Sequence, residues 1–232
     1  MQLPLGIKLP DSATFANLVR GGNGEAIDHL QHCLFAGMND GQALYFWGAP
    51  GSGKSHVLQA ACHALAEQGQ AAVYLPLSEY EQLHPAMLEG LESLALVCVD
   101  DVAAIAGQGD WEDALFHLYN RMQVEPGQLL LTGNASPVEL GLGLADLRSR
   151  LSQGWVFQLQ IISDDEKKQA LQLRAHTRGF TLPDEVGDYL LRYFPRDMHA
   201  LFGLLDRLDV ASLVEQRRLT VPFVKMVLAD AK

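Results

Sequence analysis

The chain has 232 residues, 48% of them hydrophobic, enough for one α/β domain of about 150 residues with a smaller appendage and a sizeable core. Its formal net charge of −11 excludes a broad basic field for wrapping duplex DNA, though not a small basic strip or work beside DNA through protein partners. No run approaches the ~18–20 apolar residues of a membrane helix, residues 1–11 lack the pattern of a signal peptide, and Cys33, Cys62 and Cys98 stand singly among apolar neighbours, so no membrane, a cytoplasmic location and buried reduced thiols are expected.

Residues 1–11 read as an extended arm, because Pro4, Gly6 and Pro10 oppose helix while Leu3, Leu5 and Ile7 stay apolar. A short helical pattern runs from about Glu25 to Ala36. Ala43 to Trp47 is an apolar run closed by Gly48 and reads as a buried strand. From Ser55 to Gln68, Val57, Leu58, Ala61 and Leu65 recur at helical spacing, with Gly69 as the stop. Strand character returns at Ala71 to Pro76, followed by a helical stretch up to about Glu92. Leu94 to Val99 is the next buried strand, ending in Asp100-Asp101. Trp111 to Met122 is helical, Gln128 to Thr132 is a strand closed by Gly133-Asn134, Leu142 to Leu151 is a short helix, and Trp155 to Leu159 is a last strand. Such alternation predicts a parallel sheet with helices on both faces.

After that only helices are expected. Ser163-Asp164-Asp165-Glu166 is a capping box that opens a helix ending near Gly179. Pro183 starts a second helix, Arg196 to Val210 makes a third and Thr220 to Leu228 a fourth. The expected division is an arm at 1–11, an α/β nucleotide-binding domain at 12–162 and a helical domain at 163–232.

The segment Gly48-Ala49-Pro50-Gly51-Ser52-Gly53-Lys54-Ser55 has the residues of a phosphate-binding loop at the position, between strand and helix, that its mechanism requires. Gly48, Gly51 and Gly53 let backbone N–H groups approach phosphate oxygens, and the helix start turns its positive end toward them. Lys54 would contact the β and γ phosphates, and Ser55 would ligate Mg²⁺. A second contact to that metal comes from a carboxylate on a neighbouring strand, for which Asp100 is placed. Asp101 would orient an attacking water. Asn134, at the end of a third strand, could touch both the γ-phosphate region and that water.

These elements in this order, followed by a small helical lid, resemble the AAA+ ATPase superfamily along nearly the whole chain, and within it the DnaA group. Residues Thr14 to Asn23 look like the region before the phosphate loop that helps form the adenine pocket in that group. The resemblance implies a binding set of Asn23, the loop residues Gly48, Pro50, Gly51, Ser52, Gly53, Lys54 and Ser55, then His56, with Arg196 and His199 from the lid. Leu147-Arg148-Ser149-Arg150-Leu151 resembles the segment that carries the arginine finger, which would be Arg150. One departure stands in Arg196-Asp197-Met198-His199: His199 occupies the usual place of the sensor arginine, and Arg196 lies one turn earlier. With Asp101 where a glutamate is usual, this favours ADP or another nucleoside diphosphate held as a structural ligand with Mg²⁺, ATP being possible, and slow turnover by the chain itself.

DnaA continues into a helix-turn-helix domain after the lid, whereas this sequence ends at Lys232. Together with the acidic charge, that points to DnaA-related regulators without the DNA-binding domain. Gln2-Leu3-Pro4-Leu5 resembles the peptide by which replication proteins dock on the sliding clamp, with Gln2 in a small polar pocket and Leu3 and Leu5 in an apolar cleft. The partners implied are DnaA, the DNA polymerase III sliding clamp (its beta subunit) and, through the clamp, DNA; a nucleotide-dependent homo-oligomer is also implied. The function implied is stimulation of ATP hydrolysis on DnaA, with Arg150 supplied in trans. The alternative is a stand-alone AAA+ ATPase such as a helicase loader or remodelling factor.

Overall fold

The computed structural model describes residues 13–35 and 42–229, so the expected arm with Gln2, Leu3 and Leu5 lies outside the described residues. The described chain divides into two compact units. One comprises residues 13–16 and Gly22–Ile161, the other Asn17–Gly21 and residues 162–229.

The first unit is a five-stranded parallel sheet. Its strands are β1 (Leu44–Trp47), β2 (Ala72–Pro76), β3 (Leu96–Asp100), β4 (Gln128–Gly133) and β5 (Trp155–Gln158), in the order β2-β3-β4-β1-β5. Parallel strands need crossovers, and helices lie on both faces as expected, supplying every crossover but that from β2 to β3. α1 (Gly24–Phe35) precedes β1, α2 (Lys54–Glu67) follows it, α3 (Gly109–Met122) lies between β3 and β4, and α4 (Ala145–Gln153) between β4 and β5.

Strand residues alternate between faces. Tyr45, Val97, Val99, Leu129 and Leu131 join Trp111, Leu115 and Leu118 of α3 in one core. The next residue along, Cys98, turns to the other face, where its thiol donates to the Leu58 carbonyl of α2 at 3.6 Å. β5 is the edge strand: Trp155 and Val156 are exposed there, and His29 of α1 lies against Trp155 with ring centroids 4.4 Å apart.

One expectation is corrected. The stretch after β2 forms three short 3₁₀ turns, Leu77–Gln82, Pro85–Leu88 and Leu91–Ser93, in place of a regular helix. Pro85 lacks the N–H that would continue a preceding helix, and Gly90 takes the left-handed conformation with φ 79°.

The second unit holds α5 (Asp164–Thr177), α6 (Asp184–Tyr193), α7 (Met198–Glu215) and α8 (Val221–Val227). The capping box forms as expected. Ser163 Oγ accepts the Glu166 N–H at 3.3 Å, and the Glu166 carboxylate accepts the Ser163 N–H at 2.7 Å. α7 starts later and ends later than its sequence pattern indicates. Asp197 caps its start by accepting the Ala200 N–H at 2.9 Å, and Gln216 in the left-handed region (φ 52°) stops it. Leu171, Leu190, Leu201, Leu205, Leu208 and Val224 form the centre of this unit. Among the described residues no helix is long and apolar enough to cross a membrane.

Candidate functional site

The C-terminal ends of β1, β3 and β4 converge in the first unit, the place where open parallel sheets bind ligands. β1 delivers Gly48. A side chain there would run into the backbone carbonyl of Leu159, so close approach of two chain segments requires glycine. The loop then closes on itself, with Ser52 N–H donating to the Ala49 carbonyl at 3.2 Å. Gly53 at φ 93° is the N-cap of α2 and provides no side-chain cap, so the first N–H groups of the helix remain directed at the loop.

Lys54 Nζ donates to the Gly48 carbonyl at 2.7 Å and the Ala49 carbonyl at 3.1 Å, which places the ammonium over the loop. Burial lowers the Lys54 pKa, while the nearby Asp100 and Asp101 carboxylates oppose that shift. Ser52 Oγ is buried with no hydrogen-bond partner, an orphaned polar atom inside the loop. Ala49, Pro50, Gly51 and Ser55 are exposed.

Asp100 ends β3 and is 6% exposed. Tyr74 of β2 donates to its Oδ2 at 2.5 Å, and Thr132 of β4 donates to its Oδ1. Register explains both contacts. Tyr74 pairs with Cys98 and so lies diagonally from Asp100 on one face; Thr132 follows Leu131, which pairs with Val99, the residue before Asp100. Burial pushes the Tyr74 hydroxyl far above the ordinary phenol range, with Asp100 adding to the shift.

Asp101 sits in the left-handed region at φ 60°, ψ 61°, an uncommon conformation that Asp tolerates better than most residues. Its N–H donates to Thr132 Oγ1 at 2.9 Å. Desolvation raises its pKa, Asp100 adds to the rise and Lys54 opposes it. Sequence reasoning misses Tyr74 and Thr132. Thr132, a hydroxyl at the end of an apolar run, carries a signal that could be used; Tyr74 carries none until its strand is known to lie beside β3.

The other candidates are placed as follows. Asn134 is exposed just beyond β4. Arg150 is exposed on α4; burial raises the pKa of Tyr119 on α3, and the nearby Arg150 charge opposes that rise. Asn23 is buried, and its amide makes two bonds to the Gln160 backbone, donating to the carbonyl at 3.0 Å and accepting the N–H at 2.7 Å. His56 Nε2 lies 3.1 Å from the Thr14 carbonyl. The Asn23 bonds tie the segment before α1 to the segment after β5, and the His56 contact ties Thr14 to α2. Arg196 and His199 belong to the second unit. Arg196 pairs with Asp164 at 2.7 Å and donates to the Leu191 carbonyl at 3.1 Å; His199 is exposed on the first turn of α7.

Loop, lysine and orphaned serine hydroxyl together fit a polyphosphate. No cluster of three or more His, Cys, Asp or Glu side chains that could hold a metal occurs among the described residues. The Ser55 hydroxyl with the Asp100 carboxylate is an oxygen-only set suited to Mg²⁺ that also binds phosphate oxygens.

Residues 9–158 match the model for the bacterial DnaA ATPase domain, and residues 164–228 match the model described as Hda, lid domain. Among solved structures, domain III of the Thermotoga maritima replication initiation protein DnaA is similar with a TM-score of 0.80 at 22% identity, over 97% of this chain and 98% of that one. AMPPCP-bound DnaA from Aquifex aeolicus gives 0.71 at 22% identity, over 90% and 68%. The RuvB Holliday junction branch migration motor of Thermotoga maritima gives 0.63 at 18% identity, over 89% and 68%. At these identities the structural likeness establishes the fold. The family matches go further: the chain belongs to the DnaA-related AAA+ proteins, joining a bacterial DnaA-type ATPase unit to an Hda-type lid.

Proposed function

We propose that this chain is a nucleotide-bound regulator of replication initiation that docks on the DNA-loaded sliding clamp through Gln2, Leu3 and Leu5 and stimulates hydrolysis of ATP held by DnaA. The observation that carries the reading is the pairing, in one chain, of a DnaA-type ATPase unit with an Hda-type lid.

The ligand is ADP or another nucleoside diphosphate with Mg²⁺, and ATP fits the same residues. The Aquifex DnaA relative carries the nucleotide analogue AMPPCP, which supports this class of ligand. Backbone N–H groups of the Gly48–Ser55 loop would hold the phosphates, and Lys54 would neutralise their charge. Ser55 and Asp100 would hold the metal, which supplies further charge neutralisation between phosphate oxygens. Asp101 and Asn134 would address any attacking water; Asn23 and His56 would complete the set in the first unit, and Arg196 and His199 are the candidates that the lid supplies.

Arg150, exposed on α4, would place positive charge against the transferring phosphoryl group on DnaA. Arginines supplied in trans are worth about 10³–10⁵ in rate in GTPases. The decisive assay mixes DnaA preloaded with radiolabelled ATP, clamp loaded on DNA and this protein, and follows ADP formation. Arg150→Ala is expected to bind the clamp yet lose stimulation, and Gln2→Ala to lose clamp binding while retaining nucleotide. Full stimulation by the Arg150 variant would remove the finger from the reading.

The stand-alone ATPase reading draws on Lys54, Asp100, Asp101 and Asn134 being present together, with Lys54 and Asp101 each close enough to Asp100 to feel its charge. Rapid steady-state hydrolysis by the isolated protein, abolished in Lys54→Ala, would establish it.

A further inference from the structure

We propose that Tyr74 is a positioning residue for the divalent-cation contact of Asp100, its hydroxyl, which also meets Ser55, fixing the orientation of the carboxylate. The inference deepens the nucleotide site proposed above and rests on that reading.

An ionised carboxylate offers about four lone-pair sites. In this chain the Tyr74 hydroxyl occupies one on Oδ2 and the Thr132 hydroxyl one on Oδ1. The two hydroxyls approach from strands on opposite sides of β3, so they fix the carboxylate plane while leaving each oxygen one site. On the α2 side, Ser55 and Gln59 face the same Tyr74 hydroxyl. Tyr74 therefore joins the two oxygen donors, Ser55 and Asp100, from which a Mg²⁺ contact would be drawn. Thr132 is less specific to this task, because it also accepts the Asp101 N–H and so shapes the strand exit. Groups that hold a metal ligand in place typically change metal affinity by about 10–100-fold when removed.

Full-length wild type and Tyr74→Phe are compared by fluorescence titration with mant-ADP, once in EDTA and once in excess Mg²⁺. Phenylalanine keeps the ring and removes only the hydroxyl, and the affinity in EDTA reports whether the phosphate loop remains intact. Tyr74→Phe is expected to match wild type in EDTA within about twofold while losing about tenfold of the Mg²⁺-dependent gain in affinity. A full Mg²⁺ gain in the variant, a larger gain than wild type, or an equal loss with and without Mg²⁺ overturns the positioning role. Failure of wild type to bind mant-ADP in either condition refutes instead the nucleotide reading beneath it.

Discussion

Replacing Glu112 with alanine is expected to destabilise the first unit by about 2–4 kcal/mol. Glu112 is 1% exposed on α3 and accepts three backbone N–H groups: Gly107 at 2.6 Å, Gly143 at 3.1 Å and Leu144 at 2.6 Å. The first precedes α3 and the other two lead into α4. Leu144 is the N-cap of α4 and has no side-chain cap, so a carboxylate from another helix satisfies this helix start. Each hydrogen bond to a charged group contributes roughly 1.5–3 kcal/mol. Gly107 and Gly143 are exposed, so water recovers part of what the deletion removes, and the sum of three bonds is an upper bound. At about 2–4 °C per kcal/mol for a unit of this size, the melting temperature should fall by roughly 4–16 °C. Glu112→Gln should fall between, since an amide oxygen in the Oε1 position keeps the Gly107 and Gly143 N–H groups while the NH₂ opposes the Leu144 N–H. Differential scanning calorimetry and urea denaturation read both variants. A midpoint for Glu112→Ala within about 1 °C of wild type would refute the capping argument.

Gly48→Ala forces a methyl against the Leu159 carbonyl; a loss of about 1–3 kcal/mol in urea denaturation and at least about tenfold weaker mant-ADP binding are expected. Asp101 has a raised folded-state pKa, so its contribution to stability is fully present below the unfolded carboxylate pKa and is lost as pH rises through the folded value. Asp101→Asn, which also tolerates the left-handed backbone, should therefore leave stability unchanged below the ordinary carboxylate range and increase it at neutral pH. A variant no more stable than wild type at about pH 7 would contradict this. Ser163→Ala removes the capping box of α5 and should cost the helical unit about 1 kcal/mol, read as a lower midpoint of its unfolding transition and largely recovered by Ser163→Asp.

Much of this architecture is legible in local patterns. Apolar runs of strand length, separated by helical spacing and punctuated by Gly48, Gly69 and Gly133, announce a parallel sheet, because each pattern reflects a neighbour-to-neighbour preference of the backbone. Ser163 and Glu166 announce a helix start for the same reason. The stretch after β2 misleads because apolar spacing persists there while Pro85 and Gly90 break the hydrogen-bond ladder, and periodicity alone does not weigh those two effects.

The glycine-rich loop from Gly48 to Ser55 between a strand and a helix, and a strand that ends in Asp100, were legible in sequence alone, since a run of consecutive residues carries its own local geometry. What surrounds Asp100 was decided only by tertiary structure. Sequence order does not state that β3 lies between β2 and β4, or in which register. Strand order brings Tyr74 and Thr132 onto the two oxygens of one carboxylate, and chain folding brings Glu112 to the start of α4. These contacts join residues far apart along the chain, and no local preference of either partner specifies the other.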